Sequence, residues 1–282
     1  MPIIDKMAPG QAAAMMTAPH WSQHGLTPQP LSDHEFLYFS RQLLLPDWSE
    51  ARQLRLKHSR VLIIGIGGLG CPTASYLAAA GVGELWLADG DQVELSNLPR
   101  QILFQQSDLG QNKAQAAARR LQQQNPFVHC KTLPQQLAES ELRTLLPKVD
   151  LVIDCTDNQH SKLLLNKLCQ QMHQSWIGAT ATAYQGYSWL LHPGQGCLHC
   201  LGQDVPLAIG GCLTQGAYAP LLAQLASQLV STALDLLLQQ APGQNQLQLY
   251  QHAQRQFIRC TFTADPLCPI CGVSKQEAKD VR

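Results

Sequence analysis

The stretch Arg60-Val-Leu-Ile-Ile-Gly65-Ile-Gly67-Gly68-Leu-Gly70 decides the fold. Arg60 to Ile64 is a short run of β-branched and Leu residues, the length of one strand buried on both faces of a parallel sheet. Gly65, Gly67, Gly68 and Gly70 then make a turn in which no Cβ keeps a ligand from the backbone. Pro72 to Ala80 carries Ala and Leu at helical spacing, and the free N–H groups of a helix start behind a glycine turn form a phosphate cradle. Glu84-Leu-Trp-Leu-Ala-Asp89 reads as the second strand. Asp89 lies nineteen residues beyond Gly70, the place of an acid that takes ribose hydroxyls.

Gly65-x-Gly67-x-x-Gly70 also satisfies the dinucleotide fingerprint, so an NAD-dependent oxidoreductase is the first rival and a purely structural turn the second. The residues beyond Asp89 separate them. Ser96-Asn97-Leu-Pro-Arg100-Gln101 is a polar, cationic loop, and Gly110-Gln-Asn-Lys113 sets a lysine at the start of another helix. A neutral nicotinamide needs no such cations, whereas a triphosphate does.

Gly65 to Gly70, Asp89 to Asp91, Ser96 to Gln101, Gly110 to Lys113 and Asp154-Cys-Thr-Asp157-Asn158 stand in an order that resembles the ThiF/MoeB/HesA family. These adenylyltransferases are bacterial relatives of the ubiquitin-activating enzymes. The resemblance runs from Leu31 to Gly272 and leans to the ThiF branch, through Leu87-Ala-Asp-Gly-Asp91 and Asn97-Leu-Pro-Arg-Gln-Ile-Leu-Phe104. It implies an α/β fold: a Rossmann-like open sheet, mainly parallel with antiparallel additions, flanked by helices and carrying a four-cysteine zinc knuckle. It implies ATP and Mg²⁺, bound by Gly65, Gly67, Gly68, Gly70, Asp89, Ser96, Asn97, Arg100, Lys113, Asp157 and Asn158. Arg41, Arg100, Lys113, Asp157 and Cys212 would carry the chemistry. Arg41, in Tyr38-x-x-Arg41-Gln42, matches an arginine that reaches the partner subunit's ATP, which implies a homodimer. Asp157 matches the Mg²⁺–triphosphate carboxylate, and Cys212 a cysteine that links to the partner protein. That partner is a small ubiquitin-like sulfur carrier, ThiS-like for thiamine thiazole synthesis or, in the MoeB branch, MoaD-like for molybdopterin synthase. Other members differ in acceptor, taking a peptide, a tRNA-associated substrate or a cyclic product, and a member that has lost catalysis would be a scaffold. Asn112 departs from the pattern, which often has Pro before the lysine.

The whole chain is consistent with such an enzyme. At 282 residues, 45% hydrophobic and 14% charged, it can bury a substantial core. Twenty basic and twenty acidic side chains balance, which argues against a nucleic-acid partner. No apolar run is expected to reach the roughly 18 to 20 residues of a membrane span, and the N-terminus lacks the pattern of a secretory signal. Ten cysteines without such a signal suggest reduced thiols, with metal or catalytic roles, in the cytoplasm.

The Ala-, Gln-, Pro- and Met-rich residues 1–30 read as a flexible extension, residues 31–272 as the adenylation domain and 273–282 as a flexible tail. Ser32 and Glu35 have capping-box spacing before one helix, Glu35 to Leu45, whose Phe36, Leu37, Phe39, Leu43 and Leu44 can dock. Further helices are expected over Ala114–Gln124, Leu137–Leu146, from about Ser161, and Pro220–Gln239. In the last, Leu221, Leu222, Leu225, Leu229, Ala233 and Leu236 form a core or dimer stripe. Strands are expected at Val128–Thr132, Val149–Asp154, Ser175–Gly178, Tyr184–His192, Leu247–Tyr250 and Phe257–Phe262. Asp157, after the strand ending at Asp154, is either a plain helix cap or a ligand-binding carboxylate at the sheet's C-terminal edge. Cys197-Leu-His-Cys200 and Cys268-Pro-Ile-Cys271 are two thiol knuckles of the kind that share a tetrahedral zinc, with a redox pair as the rival. Cys71, Cys130, Cys155, Cys169 and Cys260 lack ligand spacing and read as core thiols.

Overall fold

In the computed structural model, which describes residues 30–204, 216–241, 243–252 and 254–272, the apolar run before the glycine turn is a central strand. β1 (Arg60–Ile64) pairs in parallel with β2 (Glu84–Ala88) on one side and β4 (Leu151–Asp154) on the other. β3 (His129–Leu133) and β5 (Trp176–Thr182) extend the parallel set outward. The chain then doubles back. β6 (Gln185–Leu191), β7 (Gln246–Gln251) and β8 (Gln256–Thr261) add antiparallel neighbours. The result is one eight-stranded sheet in the order β3-β2-β1-β4-β5-β6-β7-β8, the open, mainly parallel sheet with antiparallel additions that the sequence implies.

Strand side chains alternate between the two faces, and both faces are covered. Val61, Ile63, Leu85, Leu87, Leu151 and Ile153 join one core, while Leu62, Trp86, Ala88 and Val152 join the other. This is why the strands read as continuous apolar runs instead of alternating ones. Helices α4 (Gly70–Ala80), α5 (Lys113–Gln124) and α8 (Ala219–Leu237) contribute to the first core. Helices α6 (Glu139–Leu145) and α7 (Gln159–Gln171) contribute to the second. Every residue of the expected stripe on α8, from Leu221 to Leu236, is buried, so it is core. By length and composition α8 could cross a membrane, against the expectation that no run is long enough, but its apolar face packs against the first core.

The N-terminal region departs from expectation. Ser32 and Glu35 form the capping box, but the single helix is two, α1 (Asp33–Tyr38) and α2 (Ser40–Leu43), separated at Phe39. Phe39 alone of the expected docking set is fully buried; Phe36, Leu37 and Leu44 are exposed. A further helix, α3 (Glu50–Lys57), escapes a reading by apolar pattern because its inward positions include Gln53, a polar residue. Gln53 is wholly buried and hydrogen-bonded by Gln42, Trp48 and the Ala80 carbonyl, so amide pairing replaces apolar contact there. Of the five expected core thiols, Cys71, Cys155 and Cys169 are buried and Cys130 half-buried, but Cys260, on edge strand β8, is exposed.

Candidate functional site

The strand order reverses between β1 and β4, and a crevice at that switch point is where open α/β sheets take ligands. The loops after the two strands touch. A Cβ at Gly65, whose φ is +89°, would stand 2.8 Å from the Cys155 carbonyl oxygen, and one at Gly70 would stand 2.0 Å from the Gly65 oxygen. Glycine at these two places is therefore dictated by the chain itself. Gly67 is different: the nearest atom to its added Cβ is Gln101 Nε2 at 3.8 Å, so the space in front of it is open. Above these glycines lies a cavity of about 940 Å³, ample for a nucleotide.

Asp89, at the end of β2, lines this cavity and binds the glycine turn to its strand. One carboxylate oxygen accepts the Ile66 N–H at 2.7 Å and the other the Asp91 N–H at 2.8 Å. Burial pushes the Asp89 carboxyl above its ordinary value, against the pull of those N–H groups and of Lys113. Lys113 is the first residue of α5, nearly buried, with Nζ 2.8 Å from the exposed Asp91 carboxylate. Asn112 caps that helix on the Gln115 N–H and donates to the Asp89 and Asp91 carbonyls, so the departure from proline leaves a firmly tied entry. Arg100 donates to the Ser96 carbonyl at 2.7 Å, and its Cγ would lie 3.6 Å from a Cβ on Gly68. Asn97 and Gln101 are buried in the wall, and the Gln101 Oε1 atom has no partner among the described residues. A buried acceptor left open beside a cavity suits a ligand donor.

From the β4 side come Thr156, Asp157 and Asn158. The helix cap is Asn158, whose side chain accepts the Ser161 N–H at 2.8 Å; α7 begins at Gln159, earlier than the sequence suggested. Asp157 is thus spared from capping and is exposed beside the cavity. Behind it, Lys162 and Asp154 form an ion pair at 3.1 Å in which neither side chain has appreciable accessible surface.

The four cysteines of the two knuckles meet. Their Sγ atoms all lie within 4.8 Å of one another, with Cys197–Cys268 at 3.7 Å and Cys197–Cys200 at 3.9 Å. Zinc with four thiolates at about 2.3 Å requires sulfurs roughly 3.8 Å apart, so the set fits a closed tetrahedral ion. Backbone N–H groups of Asp265 and Ile270 donate to the Cys200 and Cys268 sulfurs, as thiolates require. Burial works against ionising Cys268, yet N–H donors from Cys271 and Ile270 and the neighbouring thiols bring it down to about 7, while burial pushes Cys197 up. A Cβ at Gly272 would meet the Cys268 carbonyl oxygen at 2.5 Å, so the second knuckle needs glycine where the sequence has it.

Gly65, Gly67, Gly68, Asp89, Asn97, Arg100, Lys113, Asp157 and Asn158 all line the cavity. Gly70 shapes the turn from beneath, and Ser96 contributes its carbonyl to Arg100; neither lines the cavity. Arg41 is exposed and stands apart from the cavity of its own chain, and Cys212 lies outside the described residues. Sequence reasoning gave no site role to Asp91, Gln101, Thr156 or Lys162. Asp91, Gln101 and Thr156 were legible, since each sits inside one of the ordered motifs.

The family described as the ThiF family matches residues 39–270. The sulfur carrier protein ThiS adenylyltransferase of Escherichia coli (strain K12) is 37% identical over 249 residues, covering 88% of this chain and 99% of that protein. The molybdopterin-synthase adenylyltransferase of the same strain is 35% identical over 245 residues, covering 86% and 98%. The adenylyltransferase and sulfurtransferase MOCS3 of Mus musculus is 41% identical over 198 residues, which span 67% of this chain but 43% of MOCS3. Among solved structures, E. coli MccB with MccA-N7isoASN superposes with a TM-score of 0.74 at 23% identity, covering 84% of this chain and 75% of that one, a likeness of fold. With its family model matched over residues 39–270 and relatives matched almost end to end, this chain belongs to the ThiF family.

Proposed function

We propose that this chain is an ATP-dependent adenylyltransferase that activates the C-terminal carboxylate of a small, ubiquitin-like, ThiS-like sulfur carrier for sulfur transfer in thiamine thiazole synthesis. The observation that carries the reading is the convergence of the glycine turn, Asp89, Arg100, Lys113 and Asp157 on one cavity at the switch point. A carboxylate is ionised near neutral pH, so its oxygen attacks the α-phosphorus of ATP without a general base. The new P–O bond forms as the bond to the β-phosphate oxygen breaks, and pyrophosphate departs. What the protein supplies is positioning and charge stabilisation. Asp89 holds the ribose, Gly67 and Gly68 let backbone approach the phosphates, and Asn97, Arg100 and Lys113 stabilise charge on the α-phosphate and the leaving group.

The wall carries two cations, Arg100 and Lys113, against four carboxylates, Asp89, Asp91, Glu94 and Asp157. A triphosphate therefore needs further positive charge to enter. Asp157 would hold Mg²⁺, which supplies charge neutralisation on the phosphate chain. Arg41 of a second copy supplies the remainder in a homodimer. The four cysteines suit structural zinc; a closed four-thiolate site has no open position for water, so its part is stability.

A MoeB-type reading, with a MoaD-like carrier for molybdopterin synthase, is favoured by the 35% identity to the E. coli molybdopterin-synthase adenylyltransferase over 98% of its length. An NAD-dependent oxidoreductase is disfavoured by the charged wall, and the reaction as proposed belongs in the cytoplasm. The deciding experiment is ATP–pyrophosphate exchange with purified ThiS-like and MoaD-like carriers, with intact mass of the carrier read for acyl-AMP. Adduct on the ThiS-like carrier is the expected result. Exchange with the MoaD-like carrier alone moves the chain to the second reading, and tight NAD⁺ binding without ATP binding removes both.

A further inference from the structure

We propose that Lys162, which does not line the cavity at the switch point, is a positioning residue: it grips the Asp154–Thr156 turn so that the Asp157 carboxylate is presented in one place. The inference rests on the reading of Asp157 as the magnesium-holding carboxylate. Lys162 lies on α7, within the second core, with no accessible surface. Its ammonium has three donors, and three acceptors surround it: Asp154 Oδ2 at 3.1 Å, the Thr156 carbonyl at 2.7 Å and the Ala179 carbonyl at 3.3 Å. The Trp189 ring, 5.1 Å from Nζ, closes another side. Asp154 completes the knot, because its other oxygen accepts both the Thr156 N–H at 2.9 Å and the Thr156 hydroxyl at 2.7 Å.

Thr156 is thus held by its N–H, its hydroxyl and its carbonyl. Asp157 comes next, and Asn158 after it is fixed by its cap on Ser161. The carboxylate rides between two anchored neighbours. The far end of α7 is fixed too. Asn166 accepts the Leu198 N–H at 2.9 Å, and Gln170 donates to the Gly196 carbonyl at 3.1 Å and accepts the Gly194 N–H at 3.0 Å. Lys162, Asn166 and Gln170 recur every four residues on one buried face, so α7 can neither slide nor roll without breaking these bonds.

Stability alone does not call for a lysine here. Apolar side chains hold strands and helix together as well as a buried ion pair does, since desolvation offsets the attraction. An apolar residue cannot, however, grip the Thr156 and Ala179 carbonyls and a carboxylate at once. The groups around a metal-holding carboxylate, set to keep its geometry, typically change metal affinity by about 10- to 100-fold when removed.

The test uses the full chain and ATP alone, with Mg²⁺ varied. Lys162→Met should raise the Mg²⁺ concentration for half-maximal ATP binding by about tenfold or more, while Lys162→Arg, which keeps charge and reach, recovers most of that shift. A Lys162→Met protein that melts earlier yet keeps the wild-type Mg²⁺ dependence overturns the proposal. Should Lys162→Met fail to fold, Thr156→Val, which removes only the hydroxyl tie to Asp154, is read in the same way: a smaller shift supports and none overturns. Asp157→Asn separates the two levels. If it leaves Mg²⁺ dependence unchanged, the reading of Asp157 fails and Lys162 with it. If Asp157→Asn shifts the dependence and Lys162→Met does not, only the positioning role fails.

Discussion

Asp89 shows how one side chain serves fold and ligand together. Its two oxygens already tie the Ile66 and Asp91 N–H groups, and burial holds its pKa above the ordinary 3.8. A raised carboxyl takes up its proton at a higher pH than a free one, and the neutral acid accepts ribose hydroxyls poorly. ATP affinity should therefore begin to fall, on acidification, at a pH above the ordinary aspartate range, and Asp89→Asn should flatten that limb of a binding titration. The sign for folding is opposite. A group whose folded pKa is raised binds its proton more tightly in the native state, so its own contribution to stability grows as pH falls through that range. Affinity and this part of stability should diverge in the same titration. Arg100 offers a simpler test. Arg100→Ala removes a cation from the cavity wall while cutting only a surface bond to the Ser96 carbonyl. Exchange of ATP with pyrophosphate should fall by about 10² to 10³ with the melting temperature nearly unchanged. Equal exchange in the variant removes Arg100 from the mechanism.

At the scale of elements, the glycine turn divides into residues required by the chain and residues required by the ligand. A methyl at Gly70 would drive into the Gly65 carbonyl, so Gly70→Ala should cost roughly 3 kcal/mol of stability in denaturant unfolding. A methyl at Gly67 meets nothing closer than 3.8 Å, so Gly67→Ala should fold normally yet weaken ATP binding about tenfold or more. Normal ATP affinity in Gly67→Ala would place the phosphates elsewhere. The same contrast explains what sequence reading reached. Strands β1, β2 and β4 were legible because an apolar run between turn signals has few other fates in a two-sided sheet. The α8 stripe was legible through its helical period. Helix α3 was not, because one of its two buried positions, beside Leu56, is the Gln53 amide, which pattern reading counts as surface. The break at Phe39 was hidden for a related reason: only one of five apolar side chains is fully buried, and spacing cannot say which. Lys162 sits in Ser-Lys-Leu-Leu-Leu, where a lone charge reads as solvated; its burial depends on the passage of β5 and β6 over α7, which lies in no local spacing. The cavity wall was more readable than the N-terminal region because its glycines and charges sit in short ordered motifs at fixed spacing along the chain.

For the whole molecule, the question is where Arg41 acts. It lies exposed, away from the cavity of its own chain, while Gln42 beside it is pinned to the end of α4 by bonds to Gln53 and the Ala80 carbonyl. Phe36, Leu37, Leu44 and Leu45 are exposed around it, as are Leu95 and Ile102 near the cation loop, apolar surface that a second copy could cover. The acid excess of the cavity wall adds an electrostatic reason for outside help. A homodimer with composite sites meets both needs, and it makes a quantitative prediction. Arg41→Ala and Asp157→Asn should each be nearly inactive alone. In a mixed dimer, the Asp157→Asn chain lends its intact Arg41 to the other chain's intact cavity, so one of the two sites is whole. After equal mixing with full exchange of subunits, half the dimers are mixed, and pyrophosphate exchange should recover to about a quarter of the wild-type rate. If Arg41 served its own chain, every site in the mixture would still lack one group, and no activity would return. The two outcomes differ in kind, so the experiment decides between an arginine that crosses between copies and one that does not.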